Sequence, residues 1–258
     1  MSFETIRYEL HDGIAQITLA RPAVMNALNT QMRTEITDAM TQAAREARVA
    51  VLTGEGRAFC SGQDLADGVR QGGLDFERTL RDEYEPMLKS IYDCPIPTIC
   101  AVNGPAAGAG ANLALAADVV IAAQSASFVQ AFTRIGLMPD AGGTYWLPRQ
   151  IGFSRAMGLA LFADKIMADQ AAEWGMIWES LPDDAFEAGW KARAAHLANG
   201  PSVAYGAIKE ALRGSFERDL PQQLELEAKL QAKCGATEDF MEGVTAFLQK
   251  RPAAFKGK

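Results

Sequence analysis

Val102-Asn-Gly-Pro-Ala-Ala-Gly-Ala-Gly-Ala-Asn-Leu-Ala-Leu115 joins the signals that decide the class of fold. Just before it, 97–102 is a short apolar run after two prolines and reads as a buried strand. Beyond Gly110 the spacing turns helical over 111–117, and a second buried strand reads over 118–123. The same order stands upstream, where 49–53 reads as a strand that enters Gly54-Glu-Gly-Arg-Ala-Phe-Cys-Ser-Gly-Gln-Asp-Leu65 and helical spacing returns over roughly 77–92. Strand, glycine-bearing loop and helix in repetition predict an α/β core with a largely parallel, helix-covered sheet.

Working outward, residues 5–11 and 14–20 flank Asp12-Gly13 and predict an opening hairpin. Met32, Ile36, Ala39, Met40, Ala43, Ala44 and Ala47 form the apolar stripe of an amphipathic helix. After about residue 143 the strand signals fade and helical patterns follow one another to 238–250, where Phe240, Val244, Phe247 and Leu248 share a face and Thr237 is a cap candidate. Those helices predict a covering for a neighbour or an oligomer contact.

The chain has 258 residues, 48% hydrophobic content and a net charge of -7, with no dense Lys/Arg stretch. No nucleic-acid or membrane partner is therefore expected. The N-terminal string Met1-Ser-Phe-Glu-Thr5 precedes no long apolar run, which predicts neither a signal peptide nor a spanning helix, and so a cytoplasmic protein. Cys60, Cys94, Cys100 and Cys234 form no CxxC pair and read as buried reduced thiols; with only His11 and His196 besides, no metal site is expected.

In a parallel sheet both glycine-bearing loops lie at the carboxyl ends of strands, where α/β proteins place ligands. Neither fits a nucleotide motif: Gly108-Ala-Gly-Ala-Asn-Leu113 lacks the third small residue of a dinucleotide fingerprint, and no Gly-Lys-Ser/Thr occurs. Each loop alone is equally well explained by tight turns and close packing. Taken together they admit another reading, in which the N–H groups of Gln63 and Ala109 converge on one oxygen. Asp140, in Gly136-Leu-Met-Pro-Asp-Ala-Gly-Gly-Thr144, is the carboxylate such a pair would serve; by itself, Pro-Asp-X-Gly reads first as an N-cap for a helix starting near Gly143.

Four ordered motifs carry a resemblance over essentially the whole chain: Leu19-Ala-Arg-Pro-Ala-Val-Met-Asn-Ala-Leu28, Ala58-Phe-Cys-Ser-Gly-Gln-Asp-Leu65, Val102 to Leu115 and Gly136 to Thr144. Together they resemble the crotonase, or enoyl-CoA hydratase/isomerase, superfamily. The resemblance implies a spiral of repeated strand-strand-helix units with a helical C-terminal trimerisation region, divided as a core over 1–195 and an oligomerisation region over 196–258. It implies an acyl-CoA thioester substrate, a homotrimer or dimer of trimers, and no metal or redox cofactor. Carried over by motif, Gln63 and Ala109 supply the oxyanion hole; Ala23, Val24, Cys60, Asp64 and Leu65 line the CoA path; Gly108, Phe132 and Pro139 also bind substrate; Phe255 and Lys258 help hold CoA, across a subunit boundary.

The hydratases of this superfamily carry glutamates at the positions of Asn112 and Phe132, and both are missing here. Asp140 instead matches the single acid of members that shift double bonds, and the nucleophile of aryl-CoA dehalogenases. Gln63-Asp-Leu65 and Glu173-Trp-Gly-Met-Ile-Trp178, with the 99–111 and 136–144 runs, are similar to the branch that isomerises ring-1,2-epoxyphenylacetyl-CoA. The expectation is an isomerase in which Asp140 moves an α-proton, its pKa raised by Phe132, Leu137, Met138 and Trp146. An aliphatic enoyl-CoA isomerase, a hydratase, a dehalogenase and a non-catalytic scaffold or RNA-binding protein are the alternatives. Phe76, Leu80 and Tyr84 have the spacing either of an acyl-pocket wall or of ordinary core, and Asp118 reads as a structural acid.

Overall fold

The computed structural model describes residues 3–66 and 75–258; Met1 and Ser2 of the N-terminal string lie outside the described residues. Strands β1 (Ile6–His11) and β2 (Ile14–Leu19) form the opening hairpin. Asp12 and Gly13 both have positive φ, 51° and 75°, the geometry of a two-residue type I′ turn. From β2 the sheet runs through β3 (Val49–Gly54), β4 (Thr98–Val102), β6 (Val119–Ala123) and β9 (Glu179–Leu181), with every pairing after the hairpin parallel. β4 is buried at every position, as a parallel strand covered on both faces must be.

Helix α1 (Thr30–Glu46) buries Met32, Ile36, Ala39, Met40 and Ala43, the stripe read from the sequence, and Asn29 caps it by accepting from Met32 N. A helical rod follows β3 as α2 (Phe76–Thr79), a π turn (Leu80–Tyr84) and α3 (Glu85–Tyr92). Helix α4 (Ala109–Leu115) follows β4; α5 (Gly143–Ile151), α6 (Phe153–Phe162) and α7 (Ala168–Glu173) lie further on. Helix α8 (Asp183–Ala198) packs Phe186, Trp190 and Ala194 into the core, and α9 (Ser202–Arg213), α10 (Leu220–Gly235) and α11 (Glu238–Gln249) complete the chain.

A second, smaller sheet contains β5 (Ala106–Ala107), β7 (Ser127–Val129) and β8 (Lys165–Met167), and bridges at Cys60↔Ala106 and Leu28↔Gln63 extend the layer. Each turn of the chain thus places one strand in the large sheet and one extended segment in the small one before a helix: β3 then 60–63, β4 then β5, β6 then β7. This is the strand-strand-helix spiral that the resemblance implies.

The expectation that strands end near residue 143 is corrected by β8 and β9. Both are three residues long, too short for alternation to register, and both exist because an edge strand, β7 or β6, is there to pair with. Thr237 caps α11 by accepting from Phe240 N, as read. Asp118 accepts from the Thr98 amide and hydroxyl and pairs with Lys209 and Arg213, a structural acid. The four cysteines are free; Cys60, Cys94 and Cys100 are buried, whereas Cys234 is only partly so. No helix among the described residues is long and apolar enough to cross a membrane.

The two layers touch where α4 meets the 58–65 loop. A Cβ at Gly110 would lie 2.4 Å from the Cys60 carbonyl oxygen and 2.7 Å from its Sγ, so only glycine lets the helix sit this close. Gly110→Ala is expected to lower stability by roughly 1–3 kcal/mol. The check is the denaturation midpoint at unchanged m-value, and a midpoint equal to the parent's would contradict the contact.

Candidate active site

The two glycine-bearing loops meet beside a cavity of about 280 Å³ lined by Gly62, Gln63, Gly108, Ala109, Phe132 and Asp140 among others. The parallel bridge between Leu28 and Gln63 is made by Leu28 N to Gly62 O, 2.8 Å, and Asp64 N to Leu28 O, 3.0 Å. Peptide groups alternate direction along an extended strand, so the Gln63 N–H faces away from Leu28. Ala109 is the first residue of α4, where an N–H has no intrahelical acceptor. Among the described residues neither N–H donates to a protein group. A Cβ built on Gly62 would stand 3.4 Å from Ala109 N, which shows how near the loops run. Unpaired main-chain donors on the wall of a cavity are costly unless water or a ligand takes them.

Asp140 lies on the same wall. One carboxylate oxygen, Oδ1, is buried without a hydrogen-bond partner. Burial pushes the carboxyl up from an ordinary 3.8 to about 6, outweighing the opposite pull of its own backbone N–H. The side chain does not cap α5, whose N-cap is Gly142 with no side-chain hydrogen bond. What fixes Asp140 is its main chain. Its carbonyl oxygen accepts from Gly143 N (2.9 Å) and from Asn112 Nδ2 (2.7 Å), and Asn112 in turn accepts from Gln130 Nε2 (2.9 Å). Ala141 and Gly142 follow with φ of 47° and 83°, consecutive left-handed residues, the first at a cost of roughly 1–2 kcal/mol. Gly142 is doubly constrained, since a Cβ there would also stand 2.4 Å from Trp146 Nε1.

Beyond Asp140 a second cavity of about 750 Å³ opens, lined by Leu88, Tyr92, Tyr145 and Trp146, with Phe76, Leu80, Tyr84 and Asp140 shared by both chambers. Tyr92 packs on Trp146 with centroids 5.1 Å apart, and Tyr145 meets Trp146 edge-on at 4.9 Å. Asp140 therefore stands between a chamber with two free amides and a chamber walled by aromatic rings. Phe76, Leu80 and Tyr84 all line the pockets, and Tyr84 is at the same time part of the buried core, with Leu80 packed against it. Of the four residues expected to desolvate Asp140, Phe132, Leu137 and Trp146 line these chambers with it; Met138 also reaches the second but is 67% exposed and shields little.

The remaining expected residues divide by place. Leu65 and Gly108 line the first chamber, and Pro139 the second. Ala23 and Val24 sit in an exposed 3-10 turn (Pro22–Val24) beside Ser61, whose N–H donates to Met25 O, so they adjoin the chamber without lining it. Cys60 is wholly buried behind the loop, packed on Gly110, with burial pushing its thiol up to about 12. Asp64 pairs with Arg21 at 2.9 Å. Phe255 lies over Gly243 among the C-terminal helices, and the tail is tied back by Asp239, which accepts from Lys256 and Gly257 N while its own N–H donates to Lys258 O. Within one chain neither Phe255 nor Lys258 reaches the chambers.

Residues 9–258 match the family model described as enoyl-CoA hydratase/isomerase. The chain belongs to that family. A Rhodobacter capsulatus protein named "Probable enoyl-CoA hydratase" is 64% identical over the full length of both chains. The 1,2-epoxyphenylacetyl-CoA isomerase of Escherichia coli is 44% identical over 99% of each. The crystal structure of an enoyl-CoA hydratase from Bacillus anthracis superposes with a TM-score of 0.91 at 32% identity, covering 99% of this chain and 100% of that one.

The two positions at which the resemblance places the glutamates of hydratases hold Asn112 and Phe132. Asn112 is wholly buried and clamps the Asp140 turn, and Phe132 contributes a ring to the chamber wall. The sequence points neither to the hold of Asn112 and Gln130 on the Asp140 turn nor to Arg33, which donates to Gln63 Oε1, and its ion-pair partner Glu83. The one local signal was an Arg inside an apolar helical stripe, Arg33 between Met32 and Ile36.

An acid whose pKa is raised by folding binds a proton more tightly in the native state, so its contribution to stability falls as pH rises from about 4 to 6. Asp140→Asn is therefore expected to stabilise the protein by roughly 2–3 kcal/mol at pH 7.5, a gain that disappears below about pH 4. Thermal unfolding at the two pH values checks it; equal midpoints for parent and variant at pH 7.5 would show that the carboxylate is not strained by burial.

Proposed function

We propose that this family member is an acyl-CoA isomerase in which Asp140 is the sole general base. Asp140 takes a proton from the carbon beside the thioester carbonyl; the electron pair moves onto the carbonyl oxygen, held by the Gln63 and Ala109 N–H groups. The proton returns further along the conjugated system, so a 3-enoyl-CoA becomes the 2-enoyl isomer. With ring-1,2-epoxyphenylacetyl-CoA, the C1–C2 bond shared by the two rings opens electrocyclically to the seven-membered oxepin with both C–O bonds kept, and Asp140 moves the α-proton to a ring carbon, leaving a double bond between the α-carbon and the ring. The reaction is redox-neutral and uses no metal. One amide donor of this kind is worth roughly 3–4 kcal/mol of transition-state stabilisation.

The observation that carries this reading is a single half-buried carboxylate, one oxygen of which is enclosed without a hydrogen-bond partner, beside two free amides. Asp140 is the one acidic residue lining the first chamber among the described residues. Hydration needs a positioned water served by two carboxylates, and the places expected of the glutamates hold an amide and a phenyl ring. The aromatic second chamber supports an aryl-bearing acyl group. Hydration is the second reading, favoured by the name of the 64% identical relative. We further propose a trimer or dimer of trimers: α9, α10 and α11 leave a groove of about 1090 Å³ lined by Leu224, Phe240, Val244, Phe247 and Leu248, with Phe247 82% exposed. In such an assembly Phe255 and Lys258 would serve a neighbour's CoA.

The purified protein is expected to conjugate a 3-enoyl-CoA and consume the epoxyphenylacetyl-CoA, both followed by ultraviolet absorbance, while adding water to a 2-enoyl-CoA slowly. Asp140→Asn should lose two to four decades of the isomerase rate. Rapid hydration with no isomerisation would replace this reading by the second, and label at Asp140 from heavy-oxygen water would show a covalent aryl ester instead.

A further inference from the structure

A main-chain N–H donor does not require any particular side chain, yet residue 63 is a glutamine whose Oε1 is held twice. Tyr84 Oη donates to it at 2.7 Å and Arg33 Nη1 at 2.9 Å. Arg33 is 2% exposed, and the same Nη1 also donates to Leu28 O at 2.8 Å, the oxygen that accepts Asp64 N across the bridge. Its Nε donates to Glu83 at 3.0 Å, and its guanidinium stands 4.8 Å from the Tyr84 ring centroid. Burial alone would raise the Glu83 carboxyl, but the Arg33 hydrogen bond and charge carry it below the usual range, so the pair remains ionised. Burial pushes the Tyr84 hydroxyl upward, so it stays protonated and able to donate.

Tyr84 closes the π turn Leu80–Tyr84, an irregularity that recurs at functional sites, and with Phe76 and Leu80 it walls both chambers. The helical wall of both chambers is thus tied through one side chain to the Gln63 peptide, whose N–H turns away from Leu28 beside the first chamber.

We infer that Tyr84 and Arg33 are positioning residues that set the direction of the Gln63 N–H through its side-chain oxygen, so that an acyl group filling the chambers aligns the oxyanion donor for the chemical step. The inference rests on the enolate reading above. It adds that the acyl group governs the rate of α-proton removal and not only affinity, and that the glutamine side chain is the link.

Exchange of the thioester α-protons in heavy water, read by mass spectrometry on the full-length protein, tests this without needing any isomerisation. The Cα–H bond breaks, the electron pair moves to the carbonyl oxygen, the proton goes to Asp140, and a deuteron from solvent returns to carbon. Relative to each thioester's uncatalysed exchange, which corrects for the more acidic benzylic α-carbon of phenylacetyl-CoA, the parent should accelerate exchange of phenylacetyl-CoA, which fills the chambers, at least about tenfold more than that of acetyl-CoA, which does not. Gln63→Ala and Tyr84→Phe should each cut the saturated phenylacetyl-CoA rate by roughly tenfold with half-saturation within about twofold, because geometry rather than binding is lost. Gln63→Glu, which keeps an acceptor for both donors, should recover most of the rate and shows that the alanine variant failed for want of the oxygen and not of the fold. Parent-like saturated rates in Gln63→Ala and Tyr84→Phe, or losses confined to half-saturation, overturn the inference and leave the enolate reading intact. A parent enzyme that exchanges neither thioester sinks both.

Discussion

Keeping one carboxylate oxygen out of water with nothing to accept from is the constraint on which this site depends. Left alone, an Asp on a Pro-Asp-Ala-Gly turn would rotate to water or bond the next helix start, and either would return it to a weak base. Here neither occurs: Gly142 rather than Asp140 caps α5, and Oδ1 is enclosed. The shift from 3.8 to about 6 corresponds to roughly 3 kcal/mol of disfavoured ionisation, a sizeable share of the 5–15 kcal/mol that hold a domain together.

Such a group persists because the backbone around it is over-determined. Asn112, buried within α4, reaches the Asp140 carbonyl and is braced by Gln130, so the strained Ala141-Gly142 turn is held from the helix that also presents Ala109. The Asp140 carboxylate and the Ala109 amide therefore share one rigid support. The second amide comes from a different layer, and its anchor, Arg33, is on α1, packed against the opening strands. Gly62 and Gly110 let these parts close up, because a side chain at either would collide with the neighbouring loop. Packing, strain and candidate chemistry are thus properties of the same few contacts.

How far this was legible in the sequence follows from whether a feature is local. The Asp12-Gly13 turn, the α1 stripe, the glycine loops and the Pro139-Asp140 turn all impose requirements on adjacent residues, and those requirements are written as Gly, Pro and spacing. The clamps on Asp140 and Gln63 join residues 18 to 50 positions apart and leave no periodic trace. Cys60 was carried to the CoA path by motif, but the alternation of an extended segment turns its side chain inward while Ser61 faces the chamber. Met138 is apolar and adjacent to the site in sequence, yet its side chain is directed largely to solvent, which composition cannot reveal. The edge strands β8 and β9 depend on their partners and were invisible for the same reason.

The account stands most directly on the state of one proton. A carbon-13 titration of the aspartate carboxyls, with the Asp140 signal assigned by its absence from Asp140→Asn, measures it in the ligand-free protein. The account predicts a midpoint near 6. A midpoint at or below about 4, the value of an aspartate in water, would mean that the oxygen is solvated or paired in solution and that Asp140 is not poised to act as the base.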